Sequence, residues 1–175
     1  PTWSADSARI AFSKGEQVFI AAADGSGVPA PLPNGAGHSP VWSPDGSRIA
    51  FDVIDPVEKA PFVDLRVVPA DGTGTPVTTL SNYTQWTFAA WSPDGTKIAY
   101  RSTVNNDGRI RVVNADGTGD HALAFRTQEN VYQPTWSPDG SRVAFESFSR
   151  PDPLDPNSSL NTIYAASATD PGAPS

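Results

Sequence analysis

The 175-residue sequence has no cysteine, only two histidines, and fewer basic than acidic residues. The absence of cysteine excludes disulfides and thiolate metal ligands, although it does not identify the cellular compartment. No stretch approaches the roughly 18 apolar residues of a membrane span, so we expect no membrane insertion. The net charge of −7 argues against nucleic acid as a partner, because wrapping its backbone needs a basic stripe.

The sequence also lacks the groups that a hydrolytic site needs, namely a nucleophile, a base and an orienting group within hydrogen-bond reach. The two histidines are His38 and His121, and no G-x-S-x-G motif accompanies them. Residues 116–120 space oxygens like part of a calcium loop, but the twelve-residue pattern and its terminal glutamate are missing. We therefore predict no catalytic residue, no metal site and no cofactor. No charged segment followed by an apolar run is present, so we expect that any signal peptide was removed or never included.

What the sequence does contain is a ten-residue phrase that occurs four times. It reads WSPDGSRIAF at 42–51, WSPDGTKIAY at 91–100, WSPDGSRVAF at 136–145 and, in a degraded form, WSADSARIAF at 3–12. The tryptophans lie 39, 49 and 45 residues apart, so the chain is a repeat array of about 45 residues per unit. We place the units at about 1–38, 39–86, 87–132 and 133–175 of a single domain.

Each phrase predicts a β-hairpin. Pro44 presets φ for the first turn position, Asp45 can hydrogen-bond nearby backbone, and Gly46 can adopt the left-handed conformation that the turn requires. The strand that follows alternates large and small side chains, as at Ile49 and Ala50, with the period of two expected for a strand. The small positions suggest that another sheet packs closely on that face. We expect the tryptophans to be core residues and not platforms for a ligand.

Two further strands complete each unit. In the second unit we predict them at 65–69 and 76–80, and in the first unit at 17–21 and 28–32, where proline makes the last strand weak. Four short antiparallel strands repeated radially are typical of a β-propeller blade, and a stacked solenoid is the alternative. The predicted fold class is therefore all-β, with about four blades. The fourth unit offers no fourth strand, so we expect the blades to belong to a larger ring or to be completed by an oligomer.

The repeat resembles a known family. WSPDG followed by a (K/R)-(I/V)-A-(F/Y) strand, with third strands reading LRVVPADGTG, IRVVNADGTG and FIAAADGSG, is similar to the TolB-type propeller repeat. The resemblance covers all four units. It implies a propeller that contacts outer-membrane lipoproteins, or a propeller that precedes the hydrolase domain of prolyl-oligopeptidase relatives. The separate α/β domain of TolB is missing from this sequence.

Strand order predicts which rim of the propeller carries function. The SPDG and ADGTG turns share one rim and are nearly uniform, whereas the loops at 13–16, 54–64, 102–108 and 147–161 share the other rim and vary. Variable loops on a rigid scaffold are typical of binding surfaces. We expect the residues just before each first strand to face the central funnel on that rim. These candidate binding residues are His38, Ser39, Trp86, Thr87, Phe88, Tyr132 and Gln133.

These observations favour a non-catalytic propeller scaffold that mediates protein–protein interaction outside the cytoplasm. We expect a periplasmic or secreted bacterial protein whose partner is an envelope protein or a lipoprotein, with self-association through open blade edges. One alternative is the substrate-gating propeller of a prolyl-oligopeptidase-like hydrolase whose catalytic domain is absent. Another is a carbohydrate-binding propeller, in which Trp86, Phe88 and Tyr132 would be the sugar platforms.

Overall fold

The structure, a computed structural model, describes residues 1–54, 63–83, 88–104, 107–123, 130–149 and 160–169. The described residues form strands and turns and contain no helix, so none that could span a membrane. The strands are β1 (Thr2–Trp3), β2 (Arg9–Lys14), β3 (Gln17–Ala22), β4 (Ala30–Ala36), β5 (His38–Trp42), β6 (Arg48–Ile54), β7 (Val63–Pro69), β8 (Val77–Tyr83), β9 (Ala90–Trp91), β10 (Lys97–Val104), β11 (Asp107–Asn114), β12 (His121–Ala122), β13 (Asn130–Trp136), β14 (Arg142–Ser149) and β15 (Leu160–Ser167).

These strands form four antiparallel sheets, each made from consecutive strands. The first three sheets, β1–β4, β5–β8 and β9–β12, have four strands, and the fourth sheet, β13–β15, has three. We call them blades one to four. The all-β class and the blade architecture predicted from the sequence are confirmed, and the described blades form an arc that does not close into a ring. The exact unit boundaries remain a prediction.

The SPDG turn has the conformation that its residues predict. Gly46 has a φ of 70°, and its N–H donates to the Ser43 carbonyl at 2.9 Å. The Ser43 hydroxyl donates to the Asp45 carboxylate and accepts from the Arg48 N–H, both within the same turn. Because these bonds satisfy the turn's own polar groups, the turn is part of the scaffold. The same bonds recur around Ser92 and Ser137.

Hydrophobic clusters fill the three interfaces between neighbouring blades. Between blades two and three, Ala50 and Leu65 face Trp91, Ile98 and Tyr100, and each is at most 8% exposed. A small alanine on one blade therefore accommodates the large aromatic residue of the next blade, as the alternating pattern predicted. Corresponding clusters lie between blades one and two and between blades three and four.

The tryptophans connect successive blades. The indole N–H of Trp91 donates to the Val41 carbonyl at 3.1 Å, and that of Trp136 donates to the Ala90 carbonyl at 3.0 Å. Arginine also covers the tryptophan of the following blade, with the Arg48 guanidinium 5.0 Å from the Trp91 ring centroid. The prediction of core tryptophans holds for Trp42 and Trp91, whereas Trp136 is half-buried and Trp3 is 58% exposed.

Two predictions about local structure were wrong. The last strand of the first unit runs over Ala30–Ala36 instead of 28–32, because Leu32 and not Val28 reaches the core. The Gln17 side-chain amide also donates a hydrogen bond to the Leu32 carbonyl at 2.9 Å. Two variable-rim connections are also shorter than expected. Residues 13–14 and 102–104, which were expected to lie in loops, continue the strands instead, since a polar side chain does not prevent ladder pairing.

Candidate functional site

Three residues with left-handed backbone occupy the same position in successive blades. Ser39, Phe88 and Gln133 each lie three residues before the tryptophan of their blade, and their φ angles are 51°, 48° and 49°. None is glycine, and a left-handed conformation costs an L-residue roughly 1–2 kcal/mol. All three side chains are exposed. The fold therefore holds the same unfavourable backbone at one rim of three blades.

A β-bulge produces this conformation in two of the blades. The register of strand pairing shifts between His38 and Val41 in blade two, and between Tyr132 and Thr135 in blade four. A bulge leaves one residue out of the ladder and bends the strand, so it can turn a side chain away from the sheet. We call the rim at these positions the bulge rim, and it comprises His38, Ser39, Phe88, Tyr132 and Gln133.

Aromatic and cationic side chains meet on the bulge rim between blades three and four. The rings of Phe88 and Tyr132 stack edge to face with centroids 6.3 Å apart. Arg101 is a residue of β10 in blade three, and its guanidinium lies 4.5 Å from the Tyr132 ring centroid. Arg101 is only 3% exposed, and this burial lowers the pKa of its guanidinium, with a smaller opposing contribution from Tyr132. A buried arginine thus supports an aromatic residue that reaches the surface.

Sequence reasoning missed the residues that face the bulges from the adjacent strand. Asp52 pairs with His38 and Glu146 pairs with Tyr132, while Arg101 occupies the corresponding position of blade three. Each lies two residues after the small alanine of its phrase. Since side chains alternate along a strand, that spacing places a charged group on the same face as the alanine, which is the signal that could have identified it. Asp52 is only 1% exposed.

The predicted site residues lie close to where the sequence placed them, with one correction. His38 and Tyr132 are half-buried, whereas Ser39, Phe88 and Gln133 are exposed. We expected them all to precede the first strands, but His38 and Ser39 lie within β5, and Tyr132 and Gln133 lie within β13, because pairing continues past the bulge. Trp86 and Thr87 lie outside the described residues.

The calcium-loop-like segment has its carboxylates engaged within the fold. Asp116 accepts hydrogen bonds from the N–H and the hydroxyl of Thr118, and Asp120 forms an ion pair with Arg111 at 2.7 Å. The Asp120 carboxylate raises the pKa of the Arg111 guanidinium above its usual value, mainly through this hydrogen bond. His121 lies in the outer strand of blade three, as predicted. Over the described ranges, no group of three potential metal ligands is found.

The radial sheets, the aromatic interfaces and the repeated turn define the class of protein as a β-propeller. The family model described as the TolB beta propeller domain matches residues 1–151. The chain therefore belongs to the TolB beta propeller domain family, and the resemblance drawn from the WSPDG phrases is confirmed. No curated protein sequence matches this chain.

Solved structures show the same fold at low sequence identity. The putative TolB from Agrobacterium tumefaciens is 22% identical with a TM-score of 0.73, and the match covers 94% of this chain and 56% of that one. The oligogalacturonate lyase from Vibrio parahaemolyticus is 19% identical with a TM-score of 0.68, covering 94% and 49%. A puromycin-hydrolysing peptidase from Mycobacterium tuberculosis is 17% identical with a TM-score of 0.64, covering 96% and 30%. The chain thus spans about half or less of each of these structures.

Proposed function

We propose that this chain is a non-catalytic propeller scaffold that binds a protein partner through the bulge rim, outside the cytoplasm. The observation that carries the proposal is the exposed, left-handed, non-glycine residue repeated at Ser39, Phe88 and Gln133. Unfavourable backbone persists only where the surrounding structure enforces it, and it concentrates at binding sites and ligand clamps. The partner we propose is an envelope protein or a lipoprotein, encountered in the periplasm or after secretion.

The aromatic pair gives this rim an anchor for a protein surface. Phe88 is 40% exposed although it is large and apolar, and Tyr132 holds its ring edge to face. Binding hot spots are enriched in tyrosine, tryptophan and arginine that sit in preorganised surroundings. Arg101 supplies such surroundings beneath Tyr132 without being exposed itself. The rim therefore presents a rigid aromatic surface with a positive charge behind it.

Site-specific crosslinking tests the location of binding. Replacing Phe88 with a photoreactive phenylalanine analogue keeps the ring in place and should capture a protein from the native envelope fraction. The matched control places the same analogue at Val28, which is 91% exposed and lies away from the rim. Crosslinks at position 28 but not at position 88 would contradict the proposal.

An affinity measurement with the captured partner then tests the energetics. Phe88→Asn removes the ring but keeps a residue that tolerates left-handed backbone, so folding should be preserved. We expect binding to weaken by roughly 1–3 kcal/mol, as for a hot-spot residue, and Tyr132→Ala and His38→Ala should act in the same direction. Unchanged affinity in the Phe88→Asn, Tyr132→Ala and His38→Ala triple variant would reject the rim as the binding surface.

One alternative is that the chain is the substrate-gating propeller of a prolyl-oligopeptidase-like hydrolase. The observation in its favour is the likeness to the puromycin-hydrolysing peptidase, of which the match covers 30%. In that case a hydrolase domain would be encoded next to this segment, so the flanking gene sequence decides between the two. Turnover of ester or peptide reporters by this chain alone, lost on His38→Ala, would instead contradict the non-catalytic proposal.

A second alternative is carbohydrate binding through the rim aromatics. The likeness to oligogalacturonate lyase and the exposed Phe88 ring favour it. A glycan array probed with the chain and with Phe88→Asn separates this alternative from protein binding. Binding to a defined glycan that disappears in the variant would replace the protein partner with a sugar.

The proposal also includes self-association through open blade edges. The fourth blade has β15 as an outer strand, and an outer strand presents backbone N–H and carbonyl groups on which another chain can pair. The Ala168 N–H donates to the Ser141 carbonyl, so by alternation along β15 the N–H of Asn161 points away from β14, and Asn161→Pro should weaken edge pairing. Association that persists unchanged in a variant that still folds would contradict this mode.

A further inference from the structure

A cross-strand pair at one position of each blade differs in chemistry from blade to blade. It joins the large residue that follows the small alanine of the phrase to the residue opposite it on the third strand. Residues opposite each other in an antiparallel pair lie on the same face of the sheet, where their side chains interact. The pairs, in blades one to four, are Phe12 with Phe19, Phe51 with Arg66, Tyr100 with Arg111, and Phe145 with Tyr164.

Blades one and four fill this position with stacked rings. Phe12 and Phe19 have ring centroids 5.9 Å apart, with an angle of 20° between their planes. Phe145 and Tyr164 have ring centroids 6.0 Å apart, with an angle of 24°. Offset stacking of this kind is a favourable arrangement for aromatic side chains. In these two blades the pair is therefore completed within the blade itself.

In blade three the arginine of the pair has two acceptors. The Nε–H of Arg111 lies 3.0 Å from the Tyr100 hydroxyl and 3.1 Å from one oxygen of the Asp120 carboxylate, and a terminal nitrogen donates to the other carboxylate oxygen at 2.7 Å. The Tyr100 hydroxyl donates to the same carboxylate at 2.7 Å. Two parallel N–H bonds to a carboxylate form the strongest arrangement available to arginine. This pair too is completed within its blade.

Blade two keeps the arginine but lacks both acceptors. Phe51 carries no hydroxyl at the position of Tyr100. Pro76 stands at the position of Asp120, because the residue after each of them begins the outer strand opposite the equivalent position of the third strand. Proline offers no side-chain acceptor. Arg66 therefore has neither of the two groups that accept hydrogen bonds from Arg111.

The surroundings of Arg66 reflect this difference. Its Nε is buried and has no hydrogen-bond acceptor in the described structure. The Asp64 carboxylate lies 3.8 Å from a terminal nitrogen, which is an ion pair but too long for a hydrogen bond. The Arg66 side chain is 32% exposed, so its guanidinium can be reached from outside. An unsatisfied buried donor weakens folding, and local rules of this kind are broken mainly at functional positions.

From this comparison we propose that Arg66 binds the carboxylate of an acidic side chain on a protein partner. The partner's carboxylate takes the role beside Arg66 that Asp120 has beside Arg111. A carboxylate fits because the planar guanidinium fork matches its two oxygens, and because the equivalent arginine of this chain already holds one. Arg66 is not a residue of the bulge rim, so this contact can hold or fail independently of binding at that rim.

NMR of the arginine Nε–H groups in the full chain tests this contact. The probe is the α-amide of N-acetyl-glutamate, and the matched control is the α-amide of N-acetyl-glutamine, which has the same shape without the charge. The resonance that disappears in Arg66→Lys is that of Arg66. We expect it to move with the glutamate probe and to show an affinity at least about tenfold weaker for the glutamine probe, the factor for one charged hydrogen bond. The Arg111 resonance should stay in place, because Asp120 occupies its donors.

Two variants exchange the chemistry of the blades. Pro76→Asp supplies a carboxylate to blade two from within the chain, so the Arg66 resonance should shift toward that of Arg111 and lose its response to the glutamate probe. Asp120→Ala removes the carboxylate of blade three, so the Arg111 resonance should gain a response. Because the two variants act on different blades, the second tests the same geometry if the first does not fold.

Three outcomes would overturn the proposal, with ionic strength held constant throughout. The first is an Arg66 resonance that does not move at about 100 mM of the glutamate probe, a concentration that reveals even a contact of millimolar affinity. The second is an equal response to the glutamate and glutamine probes, or an equal response of Arg66 and Arg111, because either would show that the carboxylate is not recognised. The third is a response to inorganic phosphate at lower concentration than to the glutamate probe, which would assign Arg66 to a phosphate group instead.

Discussion

Two tryptophans in equivalent positions should respond differently to the same substitution. The indole N–H of Trp91 donates to the Val41 carbonyl at 3.1 Å. The indole N–H of Trp42 is equally buried but has no hydrogen-bond partner in the described structure. Both rings lie beneath an arginine, at 5.0 Å from Arg48 and 4.7 Å from Arg9. Changing each tryptophan to phenylalanine therefore isolates the contribution of the hydrogen bond between blades.

The expected magnitudes follow from what each substitution removes. Both variants lose part of a buried ring and gain a small cavity, a common cost of about 1–2 kcal/mol. Trp91→Phe also breaks a hydrogen bond, which adds about 1 kcal/mol, whereas Trp42→Phe removes an unsatisfied buried donor and regains about that amount. The two variants should therefore differ by about 2 kcal/mol in free energy of unfolding, with Trp91→Phe the less stable. For a chain of this size, this corresponds to about 4–8 °C in melting temperature.

Urea unfolding followed by far-UV circular dichroism measures this difference. Dilute protein should be used so that any association does not contribute to the apparent stability. Trp3→Phe is the matched control, because Trp3 is 58% exposed and its replacement should change stability by less than about 0.5 kcal/mol. Equal losses for Trp42→Phe and Trp91→Phe, or a larger loss for Trp42→Phe, would refute the assignment of a stabilising hydrogen bond between blades.

Two further predictions concern the turns. Ser7 takes the place of the turn glycine in blade one and has a φ of 58°. Ser7→Gly should therefore raise the free energy of unfolding by about 0.5–1 kcal/mol in the same urea assay, and a destabilised variant would contradict this. The Ser92 hydroxyl, 2.6 Å from Asp94, is the main cause that lowers the pKa of that carboxyl from 3.8 to about 2. This contribution to stability is present above the unfolded pKa and is lost as pH falls through about 2. If the Ser92 hydroxyl is the cause, NMR titration of the Asp94 carboxyl in Ser92→Ala should show a higher pKa, and an unchanged value would contradict the assignment.

The blades were predictable because the information that specifies them is local and repeated. A Ser-Pro-Asp-Gly turn next to alternating large and small residues determines both a hairpin and its core face, as Gly46 and Ala50 illustrate. Repetition adds the next level, since a face that cannot be buried within one unit must be buried by its neighbour. The alanines at the blade interfaces were therefore recognisable from their spacing within the repeated phrase.

The bulges could not be predicted in the same way. Ser39, Phe88 and Gln133 share a backbone conformation but no residue type, and none is the glycine that usually marks positive φ. At Ser39 and Gln133 a shift in strand pairing imposes this conformation, which no single residue announces. Sequence reasoning therefore located the rim residues but placed His38 and Tyr132 before the strands instead of inside them. Asp52 and Glu146 lie before the predicted loops at 54–64 and 147–161, so they were expected within strands, and they were missed because the bulges that they face were not expected.

The repeat also explains how one position can vary in residue type while the scaffold remains constant. Blades two to four use the same turn and insert the same aromatic positions into the preceding blade, so these positions are constrained by the neighbouring blade. The position two residues after the small alanine varies in residue type, and it holds Ser13, Asp52, Arg101 and Glu146 in blades one to four. A neutral, an anionic, a cationic and a second anionic residue thus follow one another at this position of the four blades. Asp52 and Arg101 are 1% and 3% exposed, so their charges lie within the scaffold, whereas Glu146 is exposed. The order of charges therefore distinguishes the blades mainly from within, because most of it is covered by neighbouring side chains.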